Sequence, residues 1–190
     1  MERGNILALD LASNAGFAYG EPGAVPRLWS VDFQRDGDLH DFYGNLTAYV
    51  ATFVRDNPVA LFAIEEPVAP SAATGHTNHN TTMKTIPGFG IVIGIIKCKR
   101  IPYQPVRVET WRKHFTGKGR ITDKTLSAAG RRKLGKSMVR QRCRLLGWKA
   151  DDDDAADAGG IWDWAGATHM GALPAKLHFF DEETRGASHG

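Results

Sequence analysis

Two short runs of consecutive apolar residues stand out along the chain, Ile6-Leu7-Ala8-Leu9 and Leu61-Phe62-Ala63-Ile64, and each ends on a carboxylate, Asp10 or Glu65. Runs of this length read as strands buried on both faces, so strands are expected over residues 5–11 and 59–65. Residues 12–16 make a tight turn and residues 17–20 a returning strand, so the chain opens with a hairpin. Beyond a Pro/Gly turn, residues 27–33 alternate polar and apolar, as an edge-like third strand would. The stripe Leu39, Phe42, Leu46, Tyr49, Val50, Phe53 and Val54 predicts an amphipathic helix over 39–56, and core packing accounts for it fully.

Residues 67–82 have no periodicity and are rich in Pro, Ala, Ser, Thr, Gly and Asn, which predicts a mobile loop. A helix rich in Gly and Ile follows, starting near residue 82 or 87 and ending near 97. A short strand is expected over 101–106 and a helix over 109–115, which the glycines of 116–120 break. Residues 127–133 and 136–148 read as two further helical stretches. The last helix opens on Asp151-Asp152-Asp153-Asp154-Ala155-Ala156-Asp157, with Ala158, Ile161, Trp162, Ala165 and Met170 at helical spacing. Strand–helix–strand crossovers imply parallel pairing and the hairpins antiparallel pairing. The fold class is therefore α/β, a mixed five-stranded sheet with helices on its faces. Residues 1–174 form one domain and 175–190 a polar tail.

Charge changes the picture. The net charge is only +3, but Lys and Arg crowd residues 97–149, where only Glu109 and Asp123 oppose them. Acidic residues gather at 32–41, at Glu65-Glu66 and at 151–157. A basic face beside a small acidic centre suits an enzyme acting on a polyanion, and nucleic acid is the expected partner. No apolar run is long enough to cross a bilayer; the longest, 88–96, is broken by glycines. The start of the chain reads directly into a strand rather than as a signal peptide, and Cys98 and Cys143 form no CxxC pair. A reducing cytoplasmic setting is expected.

An acidic first turn suits the positive end of a helix dipole, and an Asp there can cap free N–H groups. That accounts for two of the carboxylates. Asp154 and Asp157, three residues apart on one helix face, lie about 5–6 Å apart at Cβ and point toward the protein body with Ile161. Half-buried like charges repel unless a cation lies between them. With Asp10 and Glu65 at strand ends, four carboxylates from three distant parts of the chain would make an oxygen-only site for two Mg²⁺ or Mn²⁺ ions.

These motifs resemble the RuvC-type Holliday junction resolvases of the ribonuclease H-like superfamily. The resemblance rests on Leu7-Ala8-Leu9-Asp10 with Ser13 and Gly16, on Phe62-Ala63-Ile64-Glu65, on Asp154-Ala155-Ala156-Asp157-Ala158, and on the basic segment Gly135-Lys136-Ser137-Met138-Val139. It runs from about residue 5 to 170. It implies a ribonuclease H-like fold, with Asp10, Glu65, Asp154 and Asp157 as metal-binding catalytic carboxylates and Lys136 as the catalytic lysine. Arg112 or Lys113 would match a second basic residue, and Glu65 rather than its neighbour Glu66 would be the ligand. The implied reaction is metal-assisted phosphodiester hydrolysis, giving paired symmetrical nicks in a four-way DNA junction by a homodimer, in recombination and repair. The helix at 87–96 is a candidate dimer interface, although core packing against the sheet is the better account of a single apolar helix.

The family's aromatic residue three positions past the strand-end glutamate is Val68 here. DNA contacts are expected from Arg112, Lys113, Lys118, Arg120, Arg131, Arg132, Lys133 and Arg140, and from His76, His79 and Asn80 in the loop. The basic stretch 118–133 exceeds the family pattern and reads as an added DNA-binding insertion. Alternative readings are a broader branched-DNA or flap debranching nuclease and, further off, a non-catalytic junction-binding protein.

Overall fold

A computed structural model describes residues 4–34, 38–67 and 79–171, without the side chains of 79–81. Val68, His76 and the tail 175–190 lie outside the described residues. Five strands, β1 (Ile6–Asp10), β2 (Asn14–Gly20), β3 (Arg27–Asp32), β4 (Leu61–Glu65) and β5 (Tyr103–Val106), form one sheet in the order β3-β2-β1-β4-β5. The hairpin pairs β1–β2 and β2–β3 are antiparallel, and β1–β4 and β4–β5 are parallel. The helices are α1 (Leu39–Asp56), α2 (His79–Cys98), α3 (Val108–Thr116), α4 (Ala128–Leu145) and α5 (Asp153–His169). The mixed α/β sheet inferred from the pattern is present, with α1 at its expected bounds.

Alternation along the strands divides the core in two. Leu7, Leu9, Phe17, Phe62 and Ile64 pack with Phe42, Leu46 and Val50 of α1 and Val92 and Ile96 of α2. Ile6, Ala8, Ala18, Leu61 and Ala63 face the other way, toward α3, α4 and α5. On the first face large side chains fill the gap, including stacked Phe17 and Trp29, with ring centroids 5.4 Å apart. On the second face Ala8, Ala18 and Ala63 are small, and α5 supplies Ala155, Ala156, Ala158, Gly159 and Gly160. Small residues on both sides let α5 lie close against the sheet.

Several elements differ from the sequence expectation. The two helical stretches at 127–133 and 136–148 are one helix, α4, which runs through Gly135. Gly135 is buried inside α4 and marks no break in it. Helix α2 begins at His79, with Pro87 inside it, so His79 and Asn80 are helical rather than in a loop. Gly88 of α2 packs on Leu11, Leu46 and Phe42, tertiary contact that outweighs the poor helix propensity of this segment. The turn after β1 is shorter than expected, because β2 already pairs at Asn14. Helix α5 is enclosed on all sides from Ala155 to Gly166, not on one stripe. Cys98 and Cys143 are both free thiols, and no described helix is long and apolar enough to cross a membrane.

Candidate active site

The parallel register that pairs Leu9 with Ile64 brings Asp10 and Glu65 level at the same end of adjacent strands. Alternation puts Asp10 on the side of Ile6 and Ala8, and Glu65 on the side of Leu61 and Ala63, so both lie on the face that α5 covers. Glu66 falls on the opposite parity and pairs outward with Arg107 at 3.5 Å.

Helix α5 begins over these strand ends. Asp152 is its N-cap, accepting a hydrogen bond from the Ala155 N–H at 2.8 Å. The same carboxylate accepts from Asn14 Nδ2 at 3.0 Å and from the Ser30 hydroxyl, so β2 and β3 fix the helix start. Asn14 also donates to Asp154 Oδ2 at 2.9 Å. A Cβ at Gly16 would fall 1.8 Å from the Asp154 carbonyl oxygen; only glycine admits this approach of strand and helix.

Asp154, Asp157 and Glu65 each have a different partner. Lys136 Nζ of α4 lies 3.2 Å from Asp154 Oδ1. Arg112 Nη2 of α3 lies 3.0 Å from Asp157 Oδ2, while Asp157 Oδ1 is buried with no hydrogen-bond partner. Trp111 Nε1 donates to Glu65 Oε2 at 2.7 Å. Burial, then the charges of Glu65, Asp157 and Asp154, holds the Asp10 carboxyl well above its usual range, and Lys136 opposes this. Burial pushes Glu65 up to about 7 against the Trp111 hydrogen bond and the Arg112 charge, with Asp157 adding to the rise. Burial likewise pushes Asp157 up to about 6 against Arg112 and Lys136. Desolvation outweighs the ion pairs, which is the electrostatic state of a carboxylate cluster short of positive charge.

The donor set suits a hard divalent cation: carboxylate oxygens only, one of them buried and orphaned. Among the described residues no three His, Cys, Asp or Glu side chains are drawn together closely enough to hold an ion as they stand. Each of Asp154, Asp157 and Glu65 is engaged by a polar contact instead, with Lys136 and Asn14, Arg112 and Trp111 respectively.

Of the residues expected to contact DNA, Arg112 faces the carboxylates. Arg120 is paired with Glu109 at 2.7 Å, and Arg140 with Asp153 at 3.6 Å. Arg131 donates to the backbone carbonyl of Leu126. Lys113, Lys118, Arg132 and Lys133 are exposed. Asn14, Ser30 and Trp111 went unnoticed in the sequence. Asn14 and Ser30 touch residues more than a hundred positions away, and no local pattern announces that; a tryptophan beside Arg112 in a short basic helix was the one available signal.

No family model matches the chain, and no curated protein is significantly similar to it in sequence. Solved structures are similar in fold. The Thermus thermophilus RuvC in complex with a Holliday junction substrate has a TM-score of 0.63 at 19% identity, covering 90% of this chain and 99% of that one. RuvC of the same organism, in a second structure, gives 0.59 at 16% identity over the same shares. The yeast mitochondrial Holliday junction resolvase Ydc2 gives 0.53 at 11% identity, covering 86% of this chain and 77% of that one. The chain thus has the ribonuclease H-like fold in the form taken by the RuvC-type Holliday junction resolvases.

Proposed function

We propose that this protein is a structure-selective endodeoxyribonuclease that resolves four-way DNA junctions by metal-dependent phosphodiester hydrolysis. The observation that carries the reading is the meeting of Asp10, Glu65, Asp154 and Asp157, from β1, β4 and α5, at one end of a RuvC-like sheet. Those four carboxylates would hold two Mg²⁺ or Mn²⁺ ions. When bound, such ions supply Lewis-acid activation of water and charge neutralisation at the leaving 3′ oxygen.

The chain's own residues do the rest. Asn14 and the Asp152 cap fix Asp154 at the mouth of the site. Lys136, next to Asp154, offsets charge that builds on the phosphoryl oxygens. Arg112 holds Asp157 and brings a second fixed positive charge. Exposed Lys113, Lys118, Arg132 and Lys133 contact phosphates, which positions the substrate without reading its sequence. A four-way junction needs two symmetrical nicks, so a twofold dimer acting in the cytoplasm completes the reading.

The test is cleavage of an immobile four-way junction beside linear duplex, with Mg²⁺ or Mn²⁺. Wild type is expected to give paired symmetrical nicks. Asp154→Asn should bind the junction as before and lose nicking by more than the roughly 10–100-fold typical of outer-shell partners. Equal cutting of flaps, forks and junctions would replace the resolvase reading by a general debranching nuclease. Tight binding with no cleavage under either metal would leave a binding protein.

A further inference from the structure

Residues 111 and 112 are consecutive on α3, and each holds a carboxylate from a different element. Arg112 pairs with Asp157 of α5, and Trp111 donates to Glu65 of β4. The Trp111 side chain is fully buried in the core between α3, α5 and the sheet. Its indole N–H is its single polar group, and Glu65 Oε2 takes it at 2.7 Å. The ring is also held from behind. A Cβ at Gly160 would sit 2.6 Å from Trp111 Cζ3 and 2.7 Å from Cε3, so the indole lies directly on the α5 backbone. Gly160 is three residues beyond Asp157, on the same side of the helix.

From this geometry, and resting on the metal-centre reading above, we infer that Trp111 is the positioning residue for Glu65. It sets the rotamer of the strand-end carboxylate and ties it to α5, the helix that carries Asp154 and Asp157. A buried tryptophan in a core needs only a partner for its N–H, and any backbone carbonyl would serve. Here the partner is a carboxylate of the site. The indole fixes one oxygen of Glu65 and leaves Oε1 for a cation. Gly160 is what admits the ring, so a glycine in the acidic helix and a tryptophan in α3 act on a carboxylate that neither adjoins in sequence.

The experiment compares wild type, Trp111→Phe, Glu65→Gln and the double variant. Mn²⁺ binding is read by calorimetry, and the indole N–H resonances by ¹⁵N-edited NMR. Trp111→Phe keeps an apolar ring and loses the donor. It is expected to weaken Mn²⁺ binding about tenfold or more, and to lower kcat on a junction while KM is kept. In the Glu65→Gln background the same change should add nothing, since the two act through one bond. In otherwise native protein, Glu65→Gln should shift the Trp111 Nε1–H resonance, because a neutral amide is a weaker acceptor than a carboxylate. Full Mn²⁺ affinity in Trp111→Phe, or additive losses in the double variant, would overturn the inference. If Trp111→Phe fails to fold, the resonance in Glu65→Gln decides: an unmoved Trp111 signal overturns the inference. If wild type binds no Mn²⁺, the metal-centre reading falls, and the resonance alone tells whether the Trp111–Glu65 bond exists.

Discussion

Asp10, Glu65 and Asp157 are carboxylates that folding removes from water and sets against one another, and each resists ionising as a result. Their folded-state values lie above those of the unfolded chain, so between the two the folded state binds more protons. Stability from this source is present at low pH and is lost as pH rises through about 6 for Asp157 and about 7 for Glu65. The metal-free protein should therefore melt at a lower temperature at pH 8 than at pH 5, by a loss on the order of a few kcal/mol. Mg²⁺ should restore the melting temperature at pH 8 and do little at pH 5, where Glu65 and Asp157 are protonated. Thermal melts in chelator and in Mg²⁺ across that range check this. A flat metal-free profile would mean that neither burial nor mutual repulsion raises these three groups.

At the scale of elements, the site depends on how close α5 comes to β2. Gly16 faces the backbone of Asp154, and the separation leaves no room for a methyl group. Gly16→Ala should destabilise the protein by about 3 kcal/mol, at the upper end of overpacking costs, and disturb the start of α5. Urea unfolding and junction cleavage would report the two effects; an unchanged midpoint would show that strand and helix are not in contact there. The stripe that marks α1 is legible in sequence because one side of that helix faces solvent. Helix α5 is enclosed, so its pattern of small residues reports close packing instead of a face. Gly135 misled the reading of α4 because a buried glycine and a helix break look the same in sequence.

For the molecule as a whole, charge is arranged asymmetrically about the sheet. The basic residues are concentrated on α3, α4 and the segment between them, and those helices pack on the same face of the sheet as α5. The stretch 118–133 is not a separable insertion, since its last six residues are the first turns of α4 and Ser127 caps that helix. Neutralising charge is thus the sound test of its role. Lys118→Ala, Arg132→Ala and Lys133→Ala together should lower the salt dependence of junction binding by about one counterion per lost phosphate contact. Circular dichroism should show the fold unchanged. Identical salt slopes for wild type and the triple variant would remove these residues from the DNA face.

The sequence by itself determined the strands, the amphipathic α1 and the parallel crossover, and it singled out Asp10, Glu65, Asp154 and Asp157 as candidate ligands. These follow from local periodicity and from charges placed where burial would penalise them. Strand parity put Glu65 and Glu66 on opposite faces, and the family resemblance favoured Glu65. Tertiary structure alone decided the partners: Asn14 on Asp152 and Asp154, Lys136 on Asp154, Arg112 on Asp157 and Trp111 on Glu65. A side chain's chemistry can be read from its own position in the chain. The partner it meets depends on how the separate elements pack, and no local pattern encodes that.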